Sequence, residues 1–360
     1  MHFCGSRFVK LLRRFFPVAA FFGGFVADAL TIGQRVTVLN FWQLGGYLLG
    51  AAVFALWLAW RHLHEKTPPP PADELRGQIA RLMWQAPYLL IQFFFGGIFS
   101  ALFILYFKSS GHLGSWLTAS VLGGLLVANE FAGDRYGRRF TLTWSLFALN
   151  AILLLNFVLP YLAGSLDPRW FYASTMAGVL LAHGLRLIAP GRPGRIGPAW
   201  SITVTLLLAW NLGMIAPVPL VKRDMAVGHD FVRTGERFLL QVEQAPEWQF
   251  WRDQSAVVTV PEGGRLYGVS AVYAPLRVEA DLEHRWEVRE NGAWRVVYRD
   301  HFRSTGGRER GFRGYSWVLN PKPGDWRFIV GTLDGRTIGL LQVRVERGDP
   351  RMELRVDREF

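Results

Sequence analysis

Seven apolar runs, at residues 15–33, 41–60, 82–107, 113–132, 140–163, 170–188 and 198–220, fill the chain up to residue 220, and nothing comparable follows them. Most reach the roughly 20 residues that a helix needs to cross a hydrocarbon core of about 30 Å. Lipid admits such runs only as helices or closed barrels, because an unpaired backbone amide there has no water to bond. Arg186 shortens the uncharged stretch of the run at 170–188. With 51% hydrophobic residues and a mean hydropathy of +0.17, the whole chain is too apolar for an ordinary soluble enzyme and too charged to be all membrane. The expectation is a seven-helix transmembrane domain over 1–220, a linker over 221–236 and a soluble all-β domain over 237–360.

The basic residues set an orientation. Arg7, Lys10, Arg13, Arg14, Arg61, Lys66, Arg76, Arg81, Arg135, Arg138, Arg139, Arg186, Arg192 and Arg195 fall on one side of the alternating runs, whereas Arg35, Lys108 and Arg169 fall on the other. Fourteen against three is a positive-inside pattern. It predicts a cytoplasmic N-terminus, and an odd number of crossings puts the β domain outside. The segment with Ala27-Asp28-Ala29 supports two readings, a signal anchor or a signal peptide cut at a small-x-small site. Cleavage leaves six helices and the same topology.

The net charge of +12 does not point to nucleic acid. Residues 1–221 hold 17 basic and 7 acidic side chains, while 222–360 hold 23 and 21, so the excess is topogenic and the external domain is nearly neutral. Cys4 is the only cysteine, which leaves the external domain without a disulfide and dependent on its apolar core. Four prolines at 68–71 favour a stiff polyproline II spacer in a cytoplasmic loop, with a ligand for a partner domain as the alternative reading.

From about residue 237 the pattern has period two. Val278, Ala280, Leu282, His284, Trp286 and Val288 share one face, and charged residues fill the other, Glu283 among them. Parity predicts a three-residue Glu290-Asn291-Gly292 loop that brings Trp294, Val296 and Tyr298 to the core face, and a two-residue Asp334-Gly335 turn that aligns Trp326, Phe328 and Val330 with Val343, Leu341 and Gly339. Seven to eight strands result, read as an immunoglobulin-like β-sandwich. His284, Trp286, Trp294 and Trp326 are expected in one core, with His284 in a structural role, donating to a backbone carbonyl.

Residues 284–345 resemble the bacterial domain of unknown function 2914. The resemblance rests on His284 with Trp286, the Gly306-Gly307-Arg308 turn, Arg313 with Ser316, Gly324 with Trp326, and Asp334-Gly335 with Gly339. The membrane segments YFKSSGHLGSW and VANEF are similar to the polytopic region that accompanies this domain. The resemblance implies a bacterial inner-membrane protein with a periplasmic domain, and it is silent on activity.

Asp28, Glu130 and His183 are ionisable groups within or at the ends of runs, and Asn129, Glu130 and His183, with Arg139, form a candidate cytoplasmic-side cluster. Snorkelling to water is the blander role. The segment GDRYGRR at 133–139 resembles the cytoplasmic turn of major-facilitator transporters but carries Glu130 where that motif has a glycine, and is read as a basic topogenic turn. No spacing marks a catalytic constellation, a metal site or a cofactor. The best binding candidate is the stretch with Arg303, Arg308, Arg310 and Arg313 beside Phe312, Tyr315 and Trp317, since guanidinium forks take carboxylate or phosphate and aromatic faces stack on sugars or lipid edges. Asp300 and Glu309 are its expected internal partners. The function expected is a non-enzymatic inner-membrane protein, in contact with membrane lipids, whose external domain binds an anionic envelope component or a periplasmic protein. The alternative is a transporter or lipid-handling enzyme with its site within the helices.

Overall fold

The computed structural model describes residues 38–64, 75–109, 113–131, 135–235, 237–246, 248–249, 252–275, 278–305, 311–349 and 355–360. The expectations for the run at 15–33, Asp28, the prolines at 68–71, Arg308 and Arg310 lie outside the described residues. The chain divides into two compact units, one of residues 1–105, 119–158 and 171–208, the other of 106–118, 159–170 and 209–360.

The helices are α1 (Val38–Leu63), α2 (Leu75–Ser109), α3 (Leu113–Glu130), α4 (Arg135–Arg138), α5 (Phe140–Ala163), α6 (Arg169–Ile188) and α7 (Gly197–Asn211). Four spans are long and apolar enough to cross a membrane: Leu39–Leu63, Met83–Phe107, Phe140–Ala163 and Arg169–Ile188. The expected seven are thus four among the described residues. At 1.5 Å per residue, α3 is about 27 Å long and α7 about 22 Å.

The run at 198–220 misled because two structures share it. Gly213 is left-handed at φ 69°, and the Met214 amide reaches back to the Ala209 carbonyl at 2.9 Å, which ends α7 in a Schellman-like turn. Beyond it Ile215, Ala216, Val218 and Leu220 are buried, and Leu220 belongs to a core of the β region. These apolar residues lead into a strand and do not prolong a span.

Eleven strands follow among the described residues, more than the seven to eight expected: β1 (Val221–Gly228), β2 (Asp230–Thr234), β3 (Arg237–Glu243), β4 (Val257–Val260), β5 (Arg265–Tyr273), β6 (Glu279–Glu290), β7 (Ala293–Thr305), β8 (Phe312–Leu319), β9 (Gly324–Thr332), β10 (Thr337–Arg347) and β11 (Arg355–Glu359). The expected linker at 221–236 therefore holds β1 and β2. Its charged residues hid the strands, because β2 is an exposed edge strand.

Three sheets form, in the orders β1-β5-β8, β4-β10-β9-β6-β7 and β11-β3-β2. One core, around Trp286, Trp326 and Phe328, takes Leu266 and Val272 from β5, and a smaller core takes Val269 and Ala271 from the same strand, with Phe238 and Phe360. β5 is buried on both faces, which is why it reads as a nearly continuous apolar run.

The alternation in β6 holds for its core face: Ala280, Leu282, His284, Trp286 and Val288 are all buried. Glu283 departs from the expected wet face. It is 3% exposed, within 3.1 Å of Arg285 and 3.7 Å of both Arg299 and His301. On a central strand, long arginine stems cover a short carboxylate.

Both turn expectations reverse locally. Glu290 pairs with Ala293, so Asn291 (φ 51°) and Gly292 (φ 81°) form a two-residue turn of the mirror type that suits strand twist. A bulge opposite Trp286 and Glu287 then shifts the register. Trp294 consequently pairs with Arg289 and leaves the core, lying 3.7 Å under the Arg327 guanidinium. At the other hairpin Thr332 bonds Arg336 around a three-residue loop. A bulge between Thr337 and Gly339 restores the expected alignment of Gly339, Leu341 and Val343 with Val330, Phe328 and Trp326.

Candidate functional site

The strands that flank the arginine-rich stretch do not pair with each other. β7 pairs with β6 in the five-stranded sheet, whereas β8 pairs with β5 in the sheet opposite. The reason lies in the core face of β8: Ser316 accepts the Trp286 indole N–H at 2.9 Å, and a Cβ on Gly314 would stand 2.8 Å from Phe302 and 3.1 Å from His284. Only a small residue lets β8 lie across β6 and β7 at that distance.

Where these two strands face each other, a cleft of about 350 Å³ opens, lined by Arg233, Phe238, Asp300, Phe302, Arg313 and Tyr315, with Phe312 beside them. Its walls are stacked rings. Tyr315 lies on Phe231 at 4.5 Å with planes 25° apart and meets the edge of Phe238 at 5.7 Å. Phe302 stacks on Phe312 at 6.0 Å and 12°. Arg233 spans the Phe238 face at 5.4 Å and donates to the Gly235 carbonyl. Two guanidinium groups and one carboxylate thus converge on an aromatic floor, which suits a ligand with an anionic group and a flat or ring-shaped apolar face.

The expected site residues separate here. Arg313 and Tyr315 line the cleft. Trp317 is on the same strand but is capped by Arg265 at 4.6 Å. Arg303 is exposed and bonds Asp281 at 2.9 Å, a hydrogen bond that raises its pKa, so it pairs with Asp281 where Asp300 was expected; Glu309 lies outside the described residues. Sequence reasoning missed Arg233 and Phe238, since β2 and β3 reach the site through pairing that no local pattern announces, and Phe302 of β7, whose facing of β8 is decided between sheets.

His284 stands behind the cleft. Its Nε2 lies 2.7 Å from the Ser270 hydroxyl, and Phe302 and Phe328 present edges at 4.6 and 4.8 Å. The partner is thus a hydroxyl where a carbonyl was expected. Burial pushes the imidazole pKa down to about 3, so the ring is neutral and supports the packing.

In the helical unit, the expected cluster is divided. The buried Tyr136 hydroxyl donates to Asn129, Asn129 donates to the Gln92 carbonyl at 3.0 Å, and Gln92 donates to the Glu130 carbonyl at 3.1 Å. His183 instead accepts from the Trp200 indole at 3.4 Å. Beside this network Arg61 is 7% exposed, bonds the Trp84 carbonyl at 2.9 Å and stacks on the Trp84 ring at 3.5 Å. Tyr88 closes the latch: it bonds Arg61 and fills the space where a Gly137 Cβ would come to 2.1 Å. The motif at 133–139, read as a topogenic turn, therefore also carries two packed residues, Tyr136 and Gly137. No group of three or more metal-ligating side chains occurs among the described residues.

No family model matches the chain, and no curated protein matches it. Among solved structures, the chain is similar to an immunoglobulin-like protein from Pseudomonas aeruginosa, at 12% identity and a TM-score of 0.18, over 34% of this chain and 97% of that one. It is also similar to a β-glucosidase from Listeria innocua, at 10% identity and a TM-score of 0.18, over 32% of this chain and 17% of that one. A third is an alkylpurine DNA glycosylase from Pseudomonas fluorescens, at 12% identity and a TM-score of 0.21, over 81% and 76%. At such scores none of the three carries a functional argument.

Proposed function

We propose that this chain is a multi-pass membrane protein of the bacterial envelope whose β region, on the side opposite the basic loops, binds an anionic envelope component in the cleft of Arg233, Arg313, Phe302 and Tyr315. The cleft carries the reading: cationic forks over stacked rings match a phosphate- or carboxylate-bearing glycan or lipid headgroup. Two observations support the placement. The strands share a compact unit with residues 106–118 and 159–170, which lie at the sparsely basic ends of the apolar runs. Ser165 also bridges to Glu279, and Leu166 packs against the main core.

The β region reads as immunoglobulin-like. The order β10-β9-β6-β7 corresponds to strands G, F, C and C′ of variable-type domains, and β5-β8 to strands B and E. Immunoglobulin domains set a strand C tryptophan against a disulfide between B and F. Here Trp286 on β6 packs at 4.6 Å on Phe328 of β9, opposite Gly268 of β5. An aromatic ring and a glycine occupy the space of the two cysteines.

The test is binding of lipopolysaccharide and of peptidoglycan fragments to the full chain in nanodiscs, for wild type and the Arg233→Ala/Arg313→Ala double variant. Weaker binding by the variant, and weakening of the wild type by salt, are expected. Equal binding by both proteins at low salt overturns the assignment.

A further inference from the structure

We propose that the helical unit carries a second, separate site, which takes the phosphate ester of an anionic lipid headgroup. The proposal rests on the membrane-spanning reading of the helices and is independent of the cleft in the β region. A cavity of about 750 Å³ is lined by His62, Arg138, Arg139, Phe140, Thr141 and Pro198, among others, and no carboxylate lines it among the described residues. Its place matters as much as its charge. His62 precedes the last residue of the span Leu39–Leu63, and Phe140 is the first residue of the span Phe140–Ala163. The cavity therefore sits where apolar helices give way to polar ends, the depth at which headgroups lie.

One wall is held rigidly. Arg186 donates twice to the Gly194 carbonyl, at 3.0 and 2.8 Å. The Arg195 amide bonds the Thr141 hydroxyl at 2.8 Å, and Trp144 donates to the Pro193 carbonyl at 2.9 Å. Gly194, left-handed at φ 75°, lies so flush on the first turn of α5 that a Cβ would come to 2.5 Å from the Thr141 nitrogen. Arg186, from the last turn of α6, thus helps to build the wall, and Arg138 and Arg139 line the opening and are exposed. Leu63, which follows the lining His62, is 53% exposed and provides an apolar surface for acyl chain beside the cationic mouth. A basic pocket among helix ends with adjoining apolar surface fits a phospholipid better than a soluble anion.

The experiment uses the full chain, purified in neutral detergent, stripped of lipid and titrated with phosphatidylglycerol, phosphatidic acid, phosphatidylcholine and inorganic phosphate, with occupancy read by native mass spectrometry. Two variants are compared: Arg138→Gln/Arg139→Gln, and Pro198→Trp, which narrows the cavity and keeps every charge. At about 1 kcal/mol per basic residue near an anionic surface, the double variant loses roughly tenfold to thirtyfold in affinity for the anionic lipids. Pro198→Trp loses binding as well, and phosphatidylcholine binds weakly throughout. Saturation by millimolar inorganic phosphate with no advantage for the lipids overturns the lipid source. Retained binding in Pro198→Trp overturns the cavity, because it reduces the effect to diffuse surface attraction, and so does equal binding by the double variant. A chain that stays soluble and monodisperse without detergent fails the membrane reading itself, a result distinct from these.

Discussion

Replacing Gly268 by Ala tests whether the centre of the β region is as full as the geometry implies. The added methyl carbon would lie 2.7 Å from two atoms of the Phe328 ring and 2.7 Å from Trp286 Cζ2, where carbon atoms pack at about 3.5–4.0 Å. Both rings are fully buried, and the Trp286 indole is tied to Ser316, so neither can retreat freely. Overpacking of this kind costs about 1–3 kcal/mol. Removing a glycine restricts the unfolded chain and returns about 0.4–1 kcal/mol, which leaves a net loss of roughly 1–2 kcal/mol. Hydrogen exchange of β5 and β9 amides in the full chain, followed by mass spectrometry, reads this as faster exchange of the slowest amides. Phe328→Leu destabilises alone by leaving a void, yet the Gly268→Ala/Phe328→Leu pair should lose less than the sum of the singles, with a coupling of about 1 kcal/mol. Unchanged or slower exchange in Gly268→Ala would refute the packing argument, and strict additivity would show that the methyl and the ring do not meet.

Three further outcomes are expected. Because burial holds the His284 pKa at about 3, below an unfolded value of about 6.5, its contribution to stability is complete above about pH 6.5 and is lost as pH falls toward 3, by at most about 1.4 kcal/mol per pH unit; His284→Gln should flatten the slope of unfolding midpoints between pH 7 and 5, and an unchanged slope counts against it. Gly137→Ala drives Tyr88 off its seat and should lower the thermal midpoint of the detergent-solubilised chain, with the protection of α2 amides near Trp84 lost in parallel; a midpoint within error of wild type contradicts the latch. Reporter fusions after Arg81, Arg195 and Phe360 should read cytoplasmic, cytoplasmic and external, and a cytoplasmic signal at Phe360 reverses the placement of the β region.

The arginine cleft was half legible. Arg313 and Tyr315 are visible as a cationic and aromatic cluster within one short stretch, and they line the cleft. Trp317 belongs to the same stretch and yet is capped by Arg265, a residue that strand pairing with β5 brings to it. Arg233 and Phe238 come from strands that their sequence marks only as polar edge and ordinary apolar alternation, and their arrival at the site depends on how the β11-β3-β2 sheet covers β5. The latch at Gly137 was similarly hidden, because a basic turn looks the same in sequence whether its tyrosine is buried or wet.

Sequence alone determined the division into an apolar helical part and a β-rich part, the basic asymmetry between loops, the core face of β6 and the far register of β9 with β10. Those features follow from composition and from periods of 3.6 and 2, which each short segment carries by itself. Tertiary structure decided where α7 stops, that the expected linker holds β1 and β2, that Trp294 leaves the core and that the Glu283 carboxylate is buried under Arg285 and Arg299. Each of these depends on a single left-handed residue, a bulge or a partner strand distant in sequence: one inserted residue reverses every side chain after it, and its position is chosen by the packing of the whole sheet and not by the local pattern.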